Sequence, residues 1–455
     1  MSRLHGFTKK QILDVYSKMY LSRRLDEKML ILLKQGKSFF HIGASGHEAA
    51  QLAAATAMRP GEDWAYPYYR DAALCLGLGM TAREQLLCFL AKADDPNSGG
   101  RQMPQHYGHK DIRIVSQSSP TGTQFLQAVG CAIARKMDKT KDVVYVSAGE
   151  GTTSQGDFHE ALNWSSNAKA PVIFHIQDNE YAISTHKSEQ TSDSIYAMTS
   201  GYKNLSRYDV DGTNFFETNL AFKQAIERAR KGKGPSLIVS NVVRLLPHSS
   251  SDDQRKYRTE DDLSKDKKKD PLIILSNECK KENFLLTDDF EKIHLKINKQ
   301  VDADTEWAES QEYPATETAL DYIYSNDDFI DEPDTNPISD KIVIVDAINH
   351  ALNEEMFKND KMIVYGQDIA DPKGGVFTAT KGLTKTYGKE RVFNSPLAES
   401  SIIGTAIGMA VTGYKPVVEI QFGDYIWTAM MQIRNEVATM RYRSNNDWVC
   451  PMVIR

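Results

Sequence analysis

The sequence predicts an α/β protein made of two parallel-sheet domains in tandem, and three observations carry that expectation. Helix-period and strand-period apolar patterns alternate over the first 245 residues. The alternation stops in an acidic stretch punctuated by prolines and resumes at Ile342. In both halves the strand-like runs are short and apolar throughout, as strands covered on both faces by crossover helices must be.

Taken in order, helices are expected near residues 8–35, 46–58, 81–92 and 122–136, and strands near 143–148, 172–177 and 236–243. Val143, Val144, Tyr145 and Val146 form a β-rich run. Gly149-Glu150-Gly151 then turns the chain into a helix with Phe158, Ala161 and Leu162 on one face, and Val172 to Ile176 closes a βαβ unit. A polar loop beginning at Leu245 leads into a mainly helical stretch ending near residue 300. No Lys or Arg lies between Lys299 and Lys341, and Pro314, Pro333 and Pro337 interrupt that segment. Residues 1–300 are therefore expected to form one domain, 301–340 an acidic linker and 341–455 a second domain.

The second half predicts a helix from Val345 to Phe357, a strand over Met362–Tyr365, a helix near 399–412 and a strand over Val417–Gln421. A final run, "WVCPMVIR", reads as a strand with no closing helix, so this domain is expected to be incomplete.

Composition narrows the function classes. A chain of 455 residues with 41% hydrophobic content can bury substantial cores, and its net charge of −6 carries no basic stripe. Nucleic acid and anionic membrane are therefore not expected partners. No apolar run reaches the ~18 residues needed to span a bilayer, and no signal core opens the chain, so a cytoplasmic location is expected. The five cysteines are scattered, odd in number and without metal-ligand spacing, which predicts reduced thiols.

The chemistry-bearing signal is the pair of strand ends. In a βαβ unit the strands are parallel, so the turns leaving their C-terminal ends open onto the same edge of the sheet. Glu150 and Asn179 should therefore converge. A carboxylate, an amide oxygen and a backbone carbonyl suit magnesium, which takes about six oxygens at roughly 2.1 Å and shares them with substrate phosphates. Flanking glycines allow a phosphate close to the backbone, and the next helix offers free N–H groups. Taken alone, Gly-Glu-Gly fits a tight turn with a solvated Glu better than a metal site; the second half at the right distance reverses the preference.

With this pair and the two-domain order, the chain resembles the thiamine-diphosphate-dependent 2-oxo acid dehydrogenases, most closely the branched-chain (2-oxoisovalerate) type, with α and β subunits fused. The resemblance implies two thiamine-diphosphate-binding-type parallel-sheet domains, a diphosphate domain and then an incomplete pyrimidine domain. It implies Glu150, Asn179 and the Tyr181 carbonyl as magnesium ligands, with Gly149 and Gly151 flanking the diphosphate motif. "AYPYYRDAA" resembles a cofactor-contacting segment, with Tyr69 and Arg70 as the candidates; read singly, Arg70 also fits a surface ion pair with Asp71. Ser119 resembles a residue near the cofactor, as does Thr121, and Ser118, Pro120, Thr123 and Gln124 resemble a potassium-holding loop. Without the resemblance that loop is a helix N-cap.

His248 resembles a loop histidine that assists acyl transfer to a lipoyl group, and titration near pH 6.5 would suit it. Ser249 aligns with a serine phosphorylated in some relatives. Glu399 resembles the carboxylate that bonds the cofactor's pyrimidine nitrogen, and Tyr425 a tyrosine near the cofactor or an interface aromatic. Gly404 and Gly408, four apart on one helical face, are expected to let a partner's helix approach closely.

The reaction implied by the resemblance is oxidative decarboxylation of branched-chain 2-oxo acids with acyl transfer to the lipoyl group of a dihydrolipoyl acyltransferase. A homodimer is expected, with each cofactor between the α-like domain of one protomer and the β-like domain of another. Pyruvate or acetoin as substrate is the nearest alternative, and a fragment that only binds cofactor or partner is another. A nicotinamide dehydrogenase would need G-x-G-x-x-G after a strand and an acidic residue about 20 positions on, a combination neither half contains.

Three departures stand out. Glu180 occupies a position where relatives often have glycine, and Thr121 one where branched-chain enzymes carry a larger apolar residue. Gln367 stands where the β family has a Glu. The chain also ends before the β-subunit histidine expected to face substrate, so the 455-residue form alone is expected to be inactive or nearly so.

Overall fold

The computed structural model describes residues 3–325 and 341–455. The first unit opens with α1 (Lys9–Lys34), whose N-terminus is closed by a capping box between Thr8 and Gln11. It continues through α2 (Glu48–Ala57), β1 (Trp64–Tyr66), α3 (Ala72–Leu78), α4 (Thr123–Met137), β2 (Val144–Gly149), α5 (Gly156–Ala168), β3 (Val172–Asp178), β4 (Ser206–Asp211), α6 (Phe215–Arg230) and β5 (Ser236–Asn241). The five strands pair in the order β1-β2-β3-β5-β4, all parallel. Alternate residues point to opposite faces. Tyr145 and Ile173 accordingly belong to a core under α2, α3 and α6, while Val144, Val146 and Phe174 belong to a second core under α4 and α5.

Of these elements two strands, β1 and β4, and two helices, α3 and α6, were not visible in the sequence pattern. β1 is only three residues long, and β4 is a polar edge strand. Helix α6 begins where the Asn214 side chain accepts the Phe216 and Glu217 N–H groups. The helix α7 (Thr287–Glu309) runs through the expected boundary at residue 301. Val301 and Ala308 extend its apolar face beyond Ile297, and all three are buried with Leu25, Met29 and Leu32 of α1. Absence of Lys and Arg does not end a helix whose apolar period continues. Residues 326–340 of the expected linker lie outside the described residues.

The second unit comprises α8 (Ile344–Lys358), β6 (Met362–Gly366), β7 (Val392–Asn394), α9 (Glu399–Val411), β8 (Lys415–Glu419) and β9 (Val453–Ile454). Its strands pair in the order β7-β6-β8-β9, again parallel. The two units share one core, in which Phe125, Leu126 and Val129 of α4 are buried with Ile402, Ile403 and Ala406 of α9. All five cysteines are free. Among the described residues no helix is long and apolar enough to cross a membrane.

The glycine stripe of α9 has a different neighbour from the one expected. A Cβ on Gly404 would lie 2.5 Å from the Leu126 Cβ, and one on Gly408 would lie 1.8 Å from the Gln127 carbonyl oxygen. Gly130 of α4 reciprocates, since its Cβ would fall 1.9 Å from the Thr405 carbonyl oxygen. The stripe therefore seats a helix of the same chain, because burying α9 against α4 closes the core between the two units. Gly408→Ala should destabilise by about 1–3 kcal/mol through overpacking, outweighing a helix-propensity gain of about 1 kcal/mol. Gly156→Ala, at a position with nothing within 4 Å, should leave the thermal midpoint unchanged or slightly raised; calorimetric melts of the two variants test this.

Candidate active site

Parallel register places Gly149 beside Gln177, so the turns after β2 and β3 leave the sheet together. Glu150 starts a short 3-10 turn and is 3% exposed. A Cβ on Gly151 would lie 2.5 Å from the Ala182 Cβ, so this close approach of the two turns requires glycine. The Glu150 carboxylate accepts the Asn179 backbone N–H at 3.2 Å and forms no ion pair among the described residues. Burial, with the nearby Asp178 charge, pushes its pKa up to about 7. The Asn179 Oδ1 accepts the Tyr181 N–H at 3.3 Å, and the Tyr181 carbonyl accepts from Arg244 at 3.3 Å. Between them Glu180 takes a left-handed φ of 71°, which is the physical reason glycine suits this position; its side chain instead pairs with Lys187 at 3.2 Å.

Arg70 lines the cavity, and a second buried guanidinium, Arg244, holds the backbone of Tyr181 and Ile183 in its wall. Arg70 donates to the carbonyls of Gly43 and His248 and faces His248 Nδ1 at 3.3 Å. Arg244 donates to the carbonyls of Tyr181 and Ile183 and to the Tyr257 hydroxyl, leaving its Nε without a partner. Neither forms an ion pair among the described residues, although buried charges are normally paired. Asp71 is no partner for Arg70: it is fully buried and accepts the Gln177 side-chain amide at 2.6 Å, the Ser147 hydroxyl and the Tyr68 N–H.

His248 departs from the titration near pH 6.5 that would suit its expected role. Burial, then the charges of Arg70 and Arg244, depress its pKa to about 3, so it is neutral at physiological pH. The neighbouring Ser249 is buried and shares a hydrogen bond with Ser251 at 3.0 Å. Ser119 bonds His106 Nε2 at 2.8 Å. A cavity of about 360 Å³ brings together Glu150, Asn179 and Tyr181 with Tyr69, Arg70 and His248, and Ser119, Thr121, Gly149 and Gly151 complete its expected wall.

The loop expected to hold potassium is engaged within the protein. Ser118 donates to Glu436 of the second unit, Thr123 donates to the Pro120 carbonyl at 3.3 Å, and the Gln124 Oε1 accepts the Gly122 N–H at 3.1 Å.

Glu399 and Tyr425 are not brought to this cavity within one chain. Glu399, at the start of α9, accepts from Gln367 Nε2 at 3.2 Å and from the Thr428 hydroxyl at 3.1 Å. It lines a separate cavity of about 530 Å³ with His159, Glu160 and Asn163 of α5. Tyr425 is exposed and packs edge-on against Phe422 at 5.3 Å, and Leu397 and Trp427 of the same unit are also exposed.

Comparison with known proteins now bears on this geometry. The model of the family described as "Dehydrogenase E1 component" matches residues 16–317, two thirds of the chain. The chain belongs to this family. The model described as "Transketolase, pyrimidine binding domain" matches residues 340–453 of the same E1 chain. Over 322 residues the chain is 44% identical to the 2-oxoisovalerate dehydrogenase subunit alpha of Bacillus subtilis (strain 168), covering 70% of this chain and 97% of that protein. It is 34% identical over 267 residues to the pyruvate dehydrogenase E1 component subunit alpha of Staphylococcus aureus (strain COL), covering 58% and 69% respectively. It is also 36% identical over 258 residues to the mitochondrial 2-oxoisovalerate dehydrogenase subunit alpha 1 of Arabidopsis thaliana, covering 56% and 54%.

Sequence reasoning missed the polar layer beneath the cavity of this E1 chain. His47, Gln51, Asp71 and Gln177 are all fully buried there, and beside Glu48, Arg70 and Asp178 three of them read in the sequence as ordinary polar positions. For the metal-free chain, Glu150 protonates more readily folded than unfolded, so between about pH 4.5 and 7 its ionisation lowers stability as pH rises. Glu150→Gln should therefore gain stability relative to wild type progressively across that window, a difference that thermal melts at stepped pH measure.

Proposed function

We propose that this chain is a thiamine-diphosphate- and magnesium-dependent E1 component that decarboxylates branched-chain 2-oxo acids and passes the acyl group to a lipoyl-bearing dihydrolipoyl acyltransferase. One observation supports this reading most: a buried carboxylate, Glu150, and a buried guanidinium, Arg70, line one cavity without ion-pair partners among the described residues. A magnesium diphosphate offers a cation to the first and an anion to the second.

In this reading Glu150, Asn179 and the Tyr181 carbonyl hold the metal, while Arg70 and Tyr69 bind the diphosphate with Gly149 and Gly151 giving it backbone access. Thiamine diphosphate, when bound, supplies the electron sink for loss of carbon dioxide. Ser119 and Thr121 line the reacting end, and the neutral His248 offers a hydrogen bond at the rim. Glu399 serves the pyrimidine ring from a second copy of the chain, with Tyr425 beside it. The separate cavities of Glu150 and Glu399 and the exposure of Leu397 and Trp427 support a homodimer of fused α-like and β-like units. Potassium at the Ser118 loop would require its present hydrogen bonds to rearrange.

Pyruvate is the second reading for substrate, favoured by the small, polar Thr121 in the cavity wall. Steady-state rates with 3-methyl-2-oxobutanoate and with pyruvate, in the presence of the acyltransferase, decide between them.

Calorimetric titration of the full chain with thiamine diphosphate should show binding that needs magnesium and is lost in Glu150→Ala. Absence of binding by the folded wild-type dimer would overturn the cofactor assignment. Arg70→Ala, which removes charge-assisted hydrogen bonds worth about 1.5–3 kcal/mol, should weaken cofactor binding roughly ten- to hundredfold in the same titration.

A further inference from the structure

Resting on the reading of Asn179 as a metal ligand, we infer that His47 is a positioning residue for the metal site, because a hydrogen-bond chain fixes which atom of the Asn179 amide it leaves free. The chain is anchored on backbone groups at both ends. At one end the Gln51 Oε1 accepts the Ala73 N–H at 3.0 Å, while its Nε2 donates to the Arg70 carbonyl at 2.9 Å. These contacts admit a single orientation of the Gln51 amide.

The same Gln51 Nε2 donates to Gln177 at 2.9 Å, so the Gln177 atom it meets is the oxygen. That oxygen also faces His47 Nδ1 at 2.9 Å, and since both cannot accept, Nδ1 carries the hydrogen. The Tyr68 hydroxyl stands 3.4 Å from the same nitrogen and can only share that hydrogen or turn its own elsewhere. His47 Nε2 is then an acceptor, and the group it meets, at 3.4 Å, is the Asn179 side-chain nitrogen. At the far end the Asn179 Oδ1 accepts the Tyr181 N–H at 3.3 Å, which fixes the same orientation independently.

An amide can rotate to present either its oxygen or its nitrogen, and only the oxygen ligates a hard cation. His47 holds the nitrogen, so the oxygen stays on the cavity side with Glu150 and the Tyr181 carbonyl. His47 is fully buried and forms no part of the cavity wall, so it acts through Asn179 and touches no ligand. Through Gln51, the arrangement also ties the metal side of the site to the backbone of Arg70 on the anion side.

The test is a magnesium titration of the full chain at saturating thiamine diphosphate. His47→Asn is the informative variant, because its amide nitrogen can replace Nδ1 toward Gln177 but the side chain is too short to replace Nε2. Its magnesium affinity should fall about ten- to hundredfold, as loss of partners that orient metal ligands does, with the thermal midpoint of the metal-free chain nearly unchanged. Asn179→Asp removes the choice between nitrogen and oxygen. In that background His47→Asn should leave magnesium affinity unchanged, which a purely structural role for His47 would not produce. His47→Gln, which can donate to Gln177 and accept from Asn179, should restore near wild-type affinity and is the variant to compare if His47→Asn does not fold; a tenfold loss in His47→Gln, or wild-type affinity in His47→Asn, overturns the inference. Wild-type chain that binds no magnesium with thiamine diphosphate would instead overturn the cofactor reading itself.

Discussion

In-register parallel pairing of β2 with β3 sets Gly149 beside Gln177, and the turns leaving these strands emerge at one edge of the sheet. A shift of one residue would reverse which faces of the strands are buried and would remove the approach of Gly151 to Ala182. The register is held by strands covered on both faces, where Tyr145 and Ile173 serve one core and Val144, Val146 and Phe174 the other. The metal candidates thus inherit their positions from the most buried part of the molecule. Flexible loops contribute less: Glu150 and Asn179 lie within two residues of strand ends.

The second unit reaches the same region through packing. Gly130, Gly404 and Gly408 let α4 and α9 touch backbone to backbone, and α4 comes directly after the loop that bears Ser119 and Thr121. That loop is held from the other side as well. Ser118 donates to Glu436, which is buried and ion-paired with Arg443 at 2.8 Å, and Arg443 donates to the Ser116 carbonyl at 3.1 Å. Breaking one partner of such a buried pair strands the other charge, so the loop and the second unit are disturbed together. One wall of the cavity therefore depends on the interface between units.

Long periodic elements were legible in the sequence because burial on one helical face or both strand faces leaves a pattern. Helices α1, α2, α4 and α9 and strands β2, β3 and β6 lie within a few residues of their expected positions. β1 is too short to carry a period, and β4 is an edge strand whose polar residues hide it. The acidic stretch after residue 300 read as a linker because charge was weighed above apolar spacing, whereas Val301 and Ala308 continue a helix. At the site, the residues of the first unit gathered as expected since parallel topology alone brings strand ends together. The protonation of His248 was not legible, because it results from burial beside Arg70 and Arg244, which lie far from it or outside its loop in sequence. The polar layer of His47, Gln51 and Gln177 was equally hidden, as each residue is meaningful only through partners on other elements.

The cavity wall carries charges of both signs that the fold keeps apart. Glu150 and Arg70 line one space, yet the protein keeps them from pairing. Arg70 is tethered to the carbonyls of Gly43 and His248, and Glu150 is turned to the Asn179 N–H. A direct ion pair would satisfy both groups and leave nothing for a ligand. Held apart and buried, neither has an ion-pair partner among the described residues, and burial pushes the Glu150 pKa up. A simple anion would satisfy the Arg70 guanidinium and worsen the carboxylate, while a bare cation would do the reverse. Only a cation and an anion bound together relieve both, so the two halves of such a ligand should favour each other's binding on this chain.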